Sequence, residues 1–359
     1  VPPRAGHLAE RLLEIAPRSL TRVFFTNSGT EGIELAIKMA RASTGRDRLL
    51  ACDHAFHGFS TGSLSLCGHE PYREGFGTLL PSHRVPFGDL AALEQALAPR
   101  DVAGFVIEPI QGKGVYIPTA DYLAEAQRLC HRAGSLCIVD EVQTGFGRCG
   151  SLFASQADGA IEPDIMVVSK ALSGGMIPVG AVLASERAWG AVFSSLDRAM
   201  VHGSTFHQAP LAMAAAHAVL DVIDGERLVE RSAHLGERLR TQLEALRSHH
   251  RSLGAVRGRG LMVALDLVPP RPLRSRLEHM LWPQAFVMAL LDEGGVLAQV
   301  VNQRSATIKF TPPLVIDDRE VTLIVQAVDR ALARVDGGAL ETTLGTLGRM
   351  AMNLMRSRP

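Results

Sequence analysis

The sequence predicts an α/β fold: a mostly parallel sheet with helices on both faces, followed by a smaller C-terminal α+β domain. Three observations carry this. Between residues 20 and 225, short and nearly continuous apolar runs such as Val102 to Ile107 alternate with helical stretches. Strands that are apolar at every position are buried on both faces, as parallel strands are beneath crossover helices. Next, several runs end on a charged or polar group: Glu108, Asp140 and Ser169-Lys170. A lysine just past a buried strand is a costly place for an ammonium unless it is neutralised or covalently used. Finally, the pattern changes after Asp224-Gly225, where a long charged helix leads into closely spaced strands. The expected domains are therefore 1–225, 226–335 and a tail, 336–359.

Taken in order, Leu8 to Ile15 reads as an amphipathic helix and Val23 to Thr26 as a short buried strand. Asn27-Ser28-Gly29-Thr30 then opens a helix from Glu31 to Arg41. A small-residue turn at a helix start aims free N–H groups and the positive dipole end at whatever sits there. Ser28 or Thr30 serves equally as an ordinary N-cap. Leu49 to Cys52 is a strand, followed by Asp53-His54-Ala55-Phe56-His57-Gly58. Cys52, His54, His57, Cys67 and His69 fit no standard zinc spacing, so no metal is expected. Phe56 suits either the core or the cover of an aromatic ring.

Ala120 to Ala133 is a helix, and Leu136 to Glu141 a strand ending in paired acids, with Gln143, Gly145 and Gly147 beyond it. Asp164 to Val168 is the strand that reaches Lys170, and Gly174-Gly175 follow. Ala181 to Ala184 is a further strand, Trp189 to Asp197 a helix, Val201 to Phe206 a polar loop, and Pro210 to Ile223 a small-residue helix. In the second domain a helix spans Glu226 to His249. Strands are expected at Gly254–Val256, Leu261–Leu267, Val296–Val300 and Thr307–Phe310, with helices around Pro283–Asp292 and Asp318–Val335. Residues 269–282 read as a basic loop or short helix, and the tail as a helix carrying Leu344, Leu347, Met350 and Leu354.

Bulk properties narrow the function classes. The chain has 359 residues, 47% hydrophobic and 21% charged, with Lys+Arg and Asp+Glu both at 37. That balance gives no reason to expect nucleic acid or an anionic membrane surface as a partner. Five cysteines without CxxC spacing argue for a reducing compartment, and a cytoplasmic location is expected. No apolar run reaches the ~18 residues of a membrane span, and no signal peptide is evident. The chain begins VPPRAGH without Met, which reads as a fragment or an excised domain.

Together, Ser28-Gly29-Thr30, Phe56, Glu108, Asp140, Gln143 and Lys170 form the set that pyridoxal phosphate requires. Ligands of open α/β sheets bind outside the carboxyl ends of the strands. An amine condenses with the cofactor aldehyde, a carboxylate beside the pyridine nitrogen keeps the ring an electron sink, a helix start holds the phosphate, and an aromatic covers the ring.

From about residue 8 to about 335 the chain closely resembles class III aminotransferases, the fold type I pyridoxal-phosphate enzymes that include ornithine, acetylornithine, diamine and omega-amino transaminases. The motifs are NSGTEGIELAIKMAR (27–41), FHG (56–58), EPIQG (108–112), IVDEVQTGFGR (138–148), PDIMVVSKALSGG (163–175), PVGA (178–181), HGSTF (202–206), VRGRGLM (256–262) and IKFTPPLVI (308–316). The resemblance implies that Lys170 forms the Schiff base and moves the proton, and that Asp140 pairs with the pyridinium nitrogen. Gln143 then lies near the ring hydroxyl, Gly29 and Thr30 donate to the phosphate, and Phe56 and Val142 take the two ring faces. Glu108 lies near the cofactor, and Ser28 and His57 complete the cofactor-binding set. Thr205 reaches the phosphate of a neighbouring subunit, which implies a homodimer.

The implied activity is a ping-pong exchange of an amino group between an amine or amino acid and an aldehyde or keto acid. Three departures bear on it. His207-Gln208-Ala209 replaces the usual Gly-Gly-Asn. The N-terminal part of the small domain reads as missing or shortened. Lys309 stands where amino-acid-specific relatives carry Arg, which makes it the expected substrate contact and favours a substrate with an apolar or weakly polar far end. Phe76, Phe87, Met176 and Ile177 are expected on loops near the entrance, with ordinary core as the alternative for each. The alternatives are an acetylornithine or ornithine enzyme, a natural-product (prodigiosin-type) keto-aldehyde aminotransferase, a mutase or decarboxylase on the same fold, and an inactive assembly partner.

Overall fold

Apolar runs of four to six residues make the inner strands of a seven-stranded sheet. The computed structural model describes residues 2–270, 272–273, 275–301 and 306–338. They fall into two compact units, one made of 1–112 with 117–229, the other of 113–116 with 230 onward.

The first unit runs α1 (Pro3–Ile15), β1 (Arg22–Thr26), α2 (Gly29–Thr44), β2 (Arg48–Cys52), α3 (Thr61–Ser65), β3 (Ser82–Val85), α4 (Leu90–Leu97), β4 (Val102–Ile107) and α5 (Tyr122–Ala133). It continues with β5 (Leu136–Asp140), β6 (Ile165–Val168), β7 (Gly180–Ala184), α6 (Glu186–Val192) and α7 (Pro210–Gly225). The strand order is β1-β7-β6-β5-β4-β2-β3. β3, β2, β4, β5 and β6 pair in parallel, and β7 runs antiparallel to both its neighbours.

The pleat sorts side chains between two layers of helix. Leu49 and Ala51 of β2, with Leu136 and Ile138 of β5, pack with Ile33, Leu35 and Met39 of α2. Their neighbours Leu50, Cys52, Cys137 and Val139 pack on the other face with Leu93 of α4 and Tyr122, Leu123 and Ala126 of α5. Ile138 is fully buried, and each such side chain contributes about 1.5–3 kcal/mol of hydrophobic stabilisation. The mostly parallel sheet with helices on both faces is thus present, and its cause is the doubly apolar strand pattern.

The second unit holds α8 (Leu228–Ala245) from Glu230 onward, β8 (Leu253–Arg259), β9 (Met262–Leu267), α9 (Arg276–Gly294), β10 (Gln299–Val300), β11 (Thr307–Phe310) and α10 (Asp318–Asp336). Its four strands form an antiparallel sheet in the order β10-β11-β9-β8. Phe286 and Leu290 of α9, with Val328 and Leu332 of α10, bury against Val263, Leu265 and Ile308. Asp317 starts α10 with a full capping box to Glu320, which satisfies donors at both N-cap and N3.

Several elements differ from the sequence expectation. The helix expected over Trp189–Asp197 ends at Val192; Ser195 is extended and a short 3-10 turn, Leu196–Arg198, follows. Two serines in a row break the helix because their hydroxyls compete for backbone groups. β3, Ser-His-Arg-Val, is a half-buried edge strand with no apolar run to announce it. α9 begins at Arg276, where Ser275 accepts from Glu278 N at 3.1 Å, so of the two readings of 269–282, loop or short helix, its second half is helix and continues through Pro283 into the helix expected from there. β10 covers only Gln299–Val300 of the expected five residues. The expected tail helix lies outside the described residues.

Candidate active site

Asp140 closes β5 two residues after Ile138, so the pleat puts its side chain on the α2 face of the sheet. Its Oδ1 accepts from Val142 N at 3.0 Å, and its Oδ2 lies 2.7 Å from His57 Nδ1. Glu141, the other acid of the pair, is fully buried and accepts from Ser155 N at 2.7 Å and from the Thr144 hydroxyl. It pins the loop beyond β5, and burial holds its carboxyl above the usual range. The two adjacent acids therefore do different work.

His57 is buried, and its Nε2 has no hydrogen-bond partner among the described residues. Burial alone would push its pKa down, but the hydrogen bond and charge of Asp140 carry it above the ordinary histidine value. Glu108, just past β4, accepts from Phe56 N at 3.1 Å and Gly112 N at 2.7 Å. Burial raises its carboxyl, against the pull of His57. Glu108 thus ties the Phe56–His57 loop to the end of β4.

Lys170 follows β6 with φ +40°, in the left-handed region that a lysine rarely adopts. The strain persists because the neighbours over-determine it. Ser169 Oγ donates to Val179 O at 2.7 Å, Leu172 N donates to Ser169 O at 2.9 Å, and Ser173 Oγ donates to Ile177 O at 2.5 Å. At the start of α2, Ser28 is the N-cap and accepts from Glu31 N at 3.4 Å. The N–H groups of Gly29 and Thr30 have no intrahelical carbonyl to donate to. Gly29 abuts Val142: a Cβ there would come within 2.7 Å of Val142 Cγ2.

These groups line one cavity of about 670 Å³ inside the first unit. Ser28, Gly29, Thr30, Phe56, His57, Glu108, Asp140, Val142, Gln143 and Lys170 all border it, as do Met176 and Ile177. Thr205 does not. It is exposed, on the wall of a second cavity of about 1110 Å³ between α1, β1, α6 and the loop at 199–208. Lys309 belongs to the second unit, buried on β11 opposite Ala264 and Gln299. Phe76 is 65% exposed and borders neither cavity, and Phe87 packs edge-on against Tyr122 in the core beneath α4 and α5.

The sequence reading missed Phe59 and Asn27. Phe59 is 63% exposed at the cavity edge, 4.9 Å from the Phe56 ring and 5.5 Å from Tyr72, edge-on to both. Its place directly after Phe56-His57-Gly58 was the available signal. Asn27 lines the cavity and donates to Glu31 Oε2 from its backbone at 2.8 Å. Among the described residues no helix is long and apolar enough to cross a membrane.

Comparison with known proteins agrees with this geometry. The family model for class-III aminotransferases matches residues 2–332. The aminotransferase PigE of Serratia sp. (strain ATCC 39006) is 35% identical over 91% of this chain, and this chain spans only 43% of that protein's length. A pyridoxal-phosphate-bound amine transaminase from an uncultivated Pseudomonas species superposes with a TM-score of 0.85 at 33% identity, covering 93% of this chain and 82% of that one. The ornithine aminotransferase of Toxoplasma gondii gives 0.83 at 31% identity, over 92% and 76%. An (S)-enantioselective omega-transaminase from Thermomicrobium roseum gives 0.84 at 31%, over 93% and 79%. With matching motifs, sheet and family model, the chain belongs to the class III aminotransferase family.

Proposed function

We propose that the chain is a pyridoxal-phosphate-dependent aminotransferase, moving an amino group between an amine or amino acid and an aldehyde or keto acid in two half-reactions. One observation carries the reading: the strained Lys170 and the His57-held Asp140 border the same cavity as the free N–H groups that start α2. The residues present fit the cofactor. A helix start suits its phosphate, Gly29 lets that turn close on Val142 where a side chain would collide with it, and an acid, an amine and an aromatic line the cavity.

When bound, pyridoxal phosphate supplies an aldehyde that condenses with amines and a ring that takes up electrons released at the substrate carbon. The chain's own residues do the rest. The Gly29 and Thr30 N–H groups hold the phosphate. Phe56 and Val142 would flank the ring, and Gln143 would lie beside its hydroxyl. Asp140 would place a negative charge beside the pyridine nitrogen, and His57, hydrogen-bonded to its Oδ2, fixes the carboxylate's orientation. With the cofactor bound, Lys170 Nζ would be the base that takes up and gives back the proton of the amine-bearing carbon. Glu108 keeps the Phe56 loop in place.

A homodimer belongs to this reading. Thr205 matches the family threonine that reaches the phosphate of a neighbouring subunit, and its exposure outside the cavity of its own chain is compatible with that role. Two-fold homodimers are the commonest closed assembly. Sedimentation at micromolar concentration should give twice the chain mass; a fully active monomer would rule this out. A reducing, cytoplasmic setting is also part of the reading, supported by five buried cysteines, none of them in a disulfide among the described residues.

For the substrate we favour an amine or aldehyde with an apolar or weakly polar far end, and a common amino acid or keto acid as its counterpart. Lys309 lacks the planar fork that grips a carboxylate bidentately, and Phe59, Met176 and Ile177 give the cavity edge an apolar character. The test is a panel of amino donors and keto acceptors read by cofactor absorbance. A medium-chain amine should react faster in the half-reaction than acetylornithine, ornithine or putrescine. An advantage of about tenfold or more for acetylornithine or ornithine, abolished in Lys309→Ala, would make Lys309 an ordinary carboxylate anchor.

A further inference from the structure

A chain of hydroxyls links α2 to the loop that carries Phe56 and His57. Glu34 Oε1 accepts from Ser60 Oγ at 2.5 Å and from Ser63 N at 2.9 Å. Thr30 Oγ1 stands 2.7 Å from Ser60 Oγ and 2.7 Å from Ser63 Oγ, and accepts from Ser60 N at 3.2 Å. Thr30 and Glu34 are four residues apart and share a face of α2. The fit is close. A Cβ on Gly58 would come within 2.2 Å of Thr30 Oγ1, and one on Gly62 within 2.2 Å of Glu34 Oε2.

Proton counting gives the chain a direction. An ionised carboxylate only accepts, and each hydroxyl has one proton. Ser60's proton therefore lies towards Glu34. The short Thr30–Ser60 contact then needs Thr30's proton, and the Thr30–Ser63 contact needs Ser63's. Ser63 Oγ also lies 3.0 Å from Ser60 Oγ and from Ser60 O, both longer than its contact with Thr30. The donors thus run from Ser63 to Thr30 to Ser60 to Glu34. Thr30 Oγ1 donates once and accepts twice, so its hydroxyl has no proton for an anion in the cavity.

We propose that Glu34 is a positioning residue: as terminal acceptor of this chain it clamps the Phe56–Ser60 loop onto the start of α2 and turns the Thr30 hydroxyl away from the cavity. Within one chain, the phosphate end of the site is then made by main-chain N–H groups, and Phe56 and the Asp140-holding His57 are fixed from behind. Ser60 occupies the N-cap position of α3 without capping it; Glu34 takes the Ser63 N–H instead. The proposal rests on the reading that pyridoxal phosphate occupies the cavity.

The test is titration of the apoprotein with pyridoxal phosphate, following the dissociation constant and, at saturation, the induced circular dichroism of the bound chromophore. Glu34→Ala should weaken binding by about tenfold or more, as expected for losing two partly buried hydrogen bonds to a charged group. It should also lower the induced signal at saturation, which a loss of global stability alone would not do. Glu34→Gln should stay within about threefold of the parent in binding, with its signal restored, because the amide Oε1 accepts the same two bonds. If Glu34→Ala does not fold, Ser60→Ala interrupts the same chain and should move both readouts in the same direction. A parent that binds no cofactor overturns the cofactor reading and this inference with it. A parent that binds, with Glu34→Ala or Ser60→Ala indistinguishable from it or Glu34→Gln as impaired as Glu34→Ala, overturns this inference alone.

Discussion

Lys170→Ala should abolish amino transfer while leaving the cofactor bound. Two properties of the site separate these effects. The phosphate grip comes from main-chain N–H groups of α2 and the ring contacts from Phe56 and Val142, none of which depends on the lysine. The proton transfer at the substrate carbon does depend on it, because no other amine is among the described residues lining the cavity. Loss of a positioned acid–base alone costs on the order of 10²–10⁴-fold, and loss of the covalent attachment slows exchange with the incoming amine as well. The check is single-turnover absorbance with excess amine. Residual turnover within about tenfold of the parent would show that Lys170 is a strained structural residue and that another group moves the proton.

Asp140→Asn should lower turnover by about 10²–10³-fold, on the scale of removing one preorganised electrostatic partner of a transition state. Asparagine keeps the shape, and its amide oxygen can still accept from Val142 N or from His57 Nδ1–H. What it removes is the negative charge beside the ring nitrogen. That charge matters more when electrons enter the ring than before, so kcat should fall much further than cofactor affinity. His57 would lose the charge of Asp140, which helps to hold its pKa above the ordinary value against burial. Steady-state kinetics beside a cofactor titration make the comparison. Near-normal kcat would reduce Asp140 to a strand terminator with a hydrogen-bonded histidine.

The chemistry of the site was legible because it sits where the pattern breaks. Glu108, Asp140 and Lys170 each stand within two residues of the end of a fully buried strand, and a charge in that place is conspicuous against an apolar run. Alternation along β5 also separates Asp140 from Glu141, which the sequence showed only as a pair. Other features gave no such contrast. β3 is polar and half buried, so it looked like loop. Glu34 reads as one more polar residue on a helix, and its partners Ser60 and Ser63 lie 26 and 29 positions away. Phe87 was expected near the entrance because aromatic residues on loops look available; its ring packs against Tyr122 instead. Contacts of this kind are set by tertiary packing and leave no local pattern.

Reduction of the cofactor-loaded protein with borohydride, followed by mass analysis of its peptides, tests the central claim most directly. The account predicts that the mass of the reduced cofactor is found on the peptide containing Lys170, and that Lys170→Ala, loaded in the same way, carries none. Cofactor mass on a different lysine, or no covalent adduct in the parent, would contradict it.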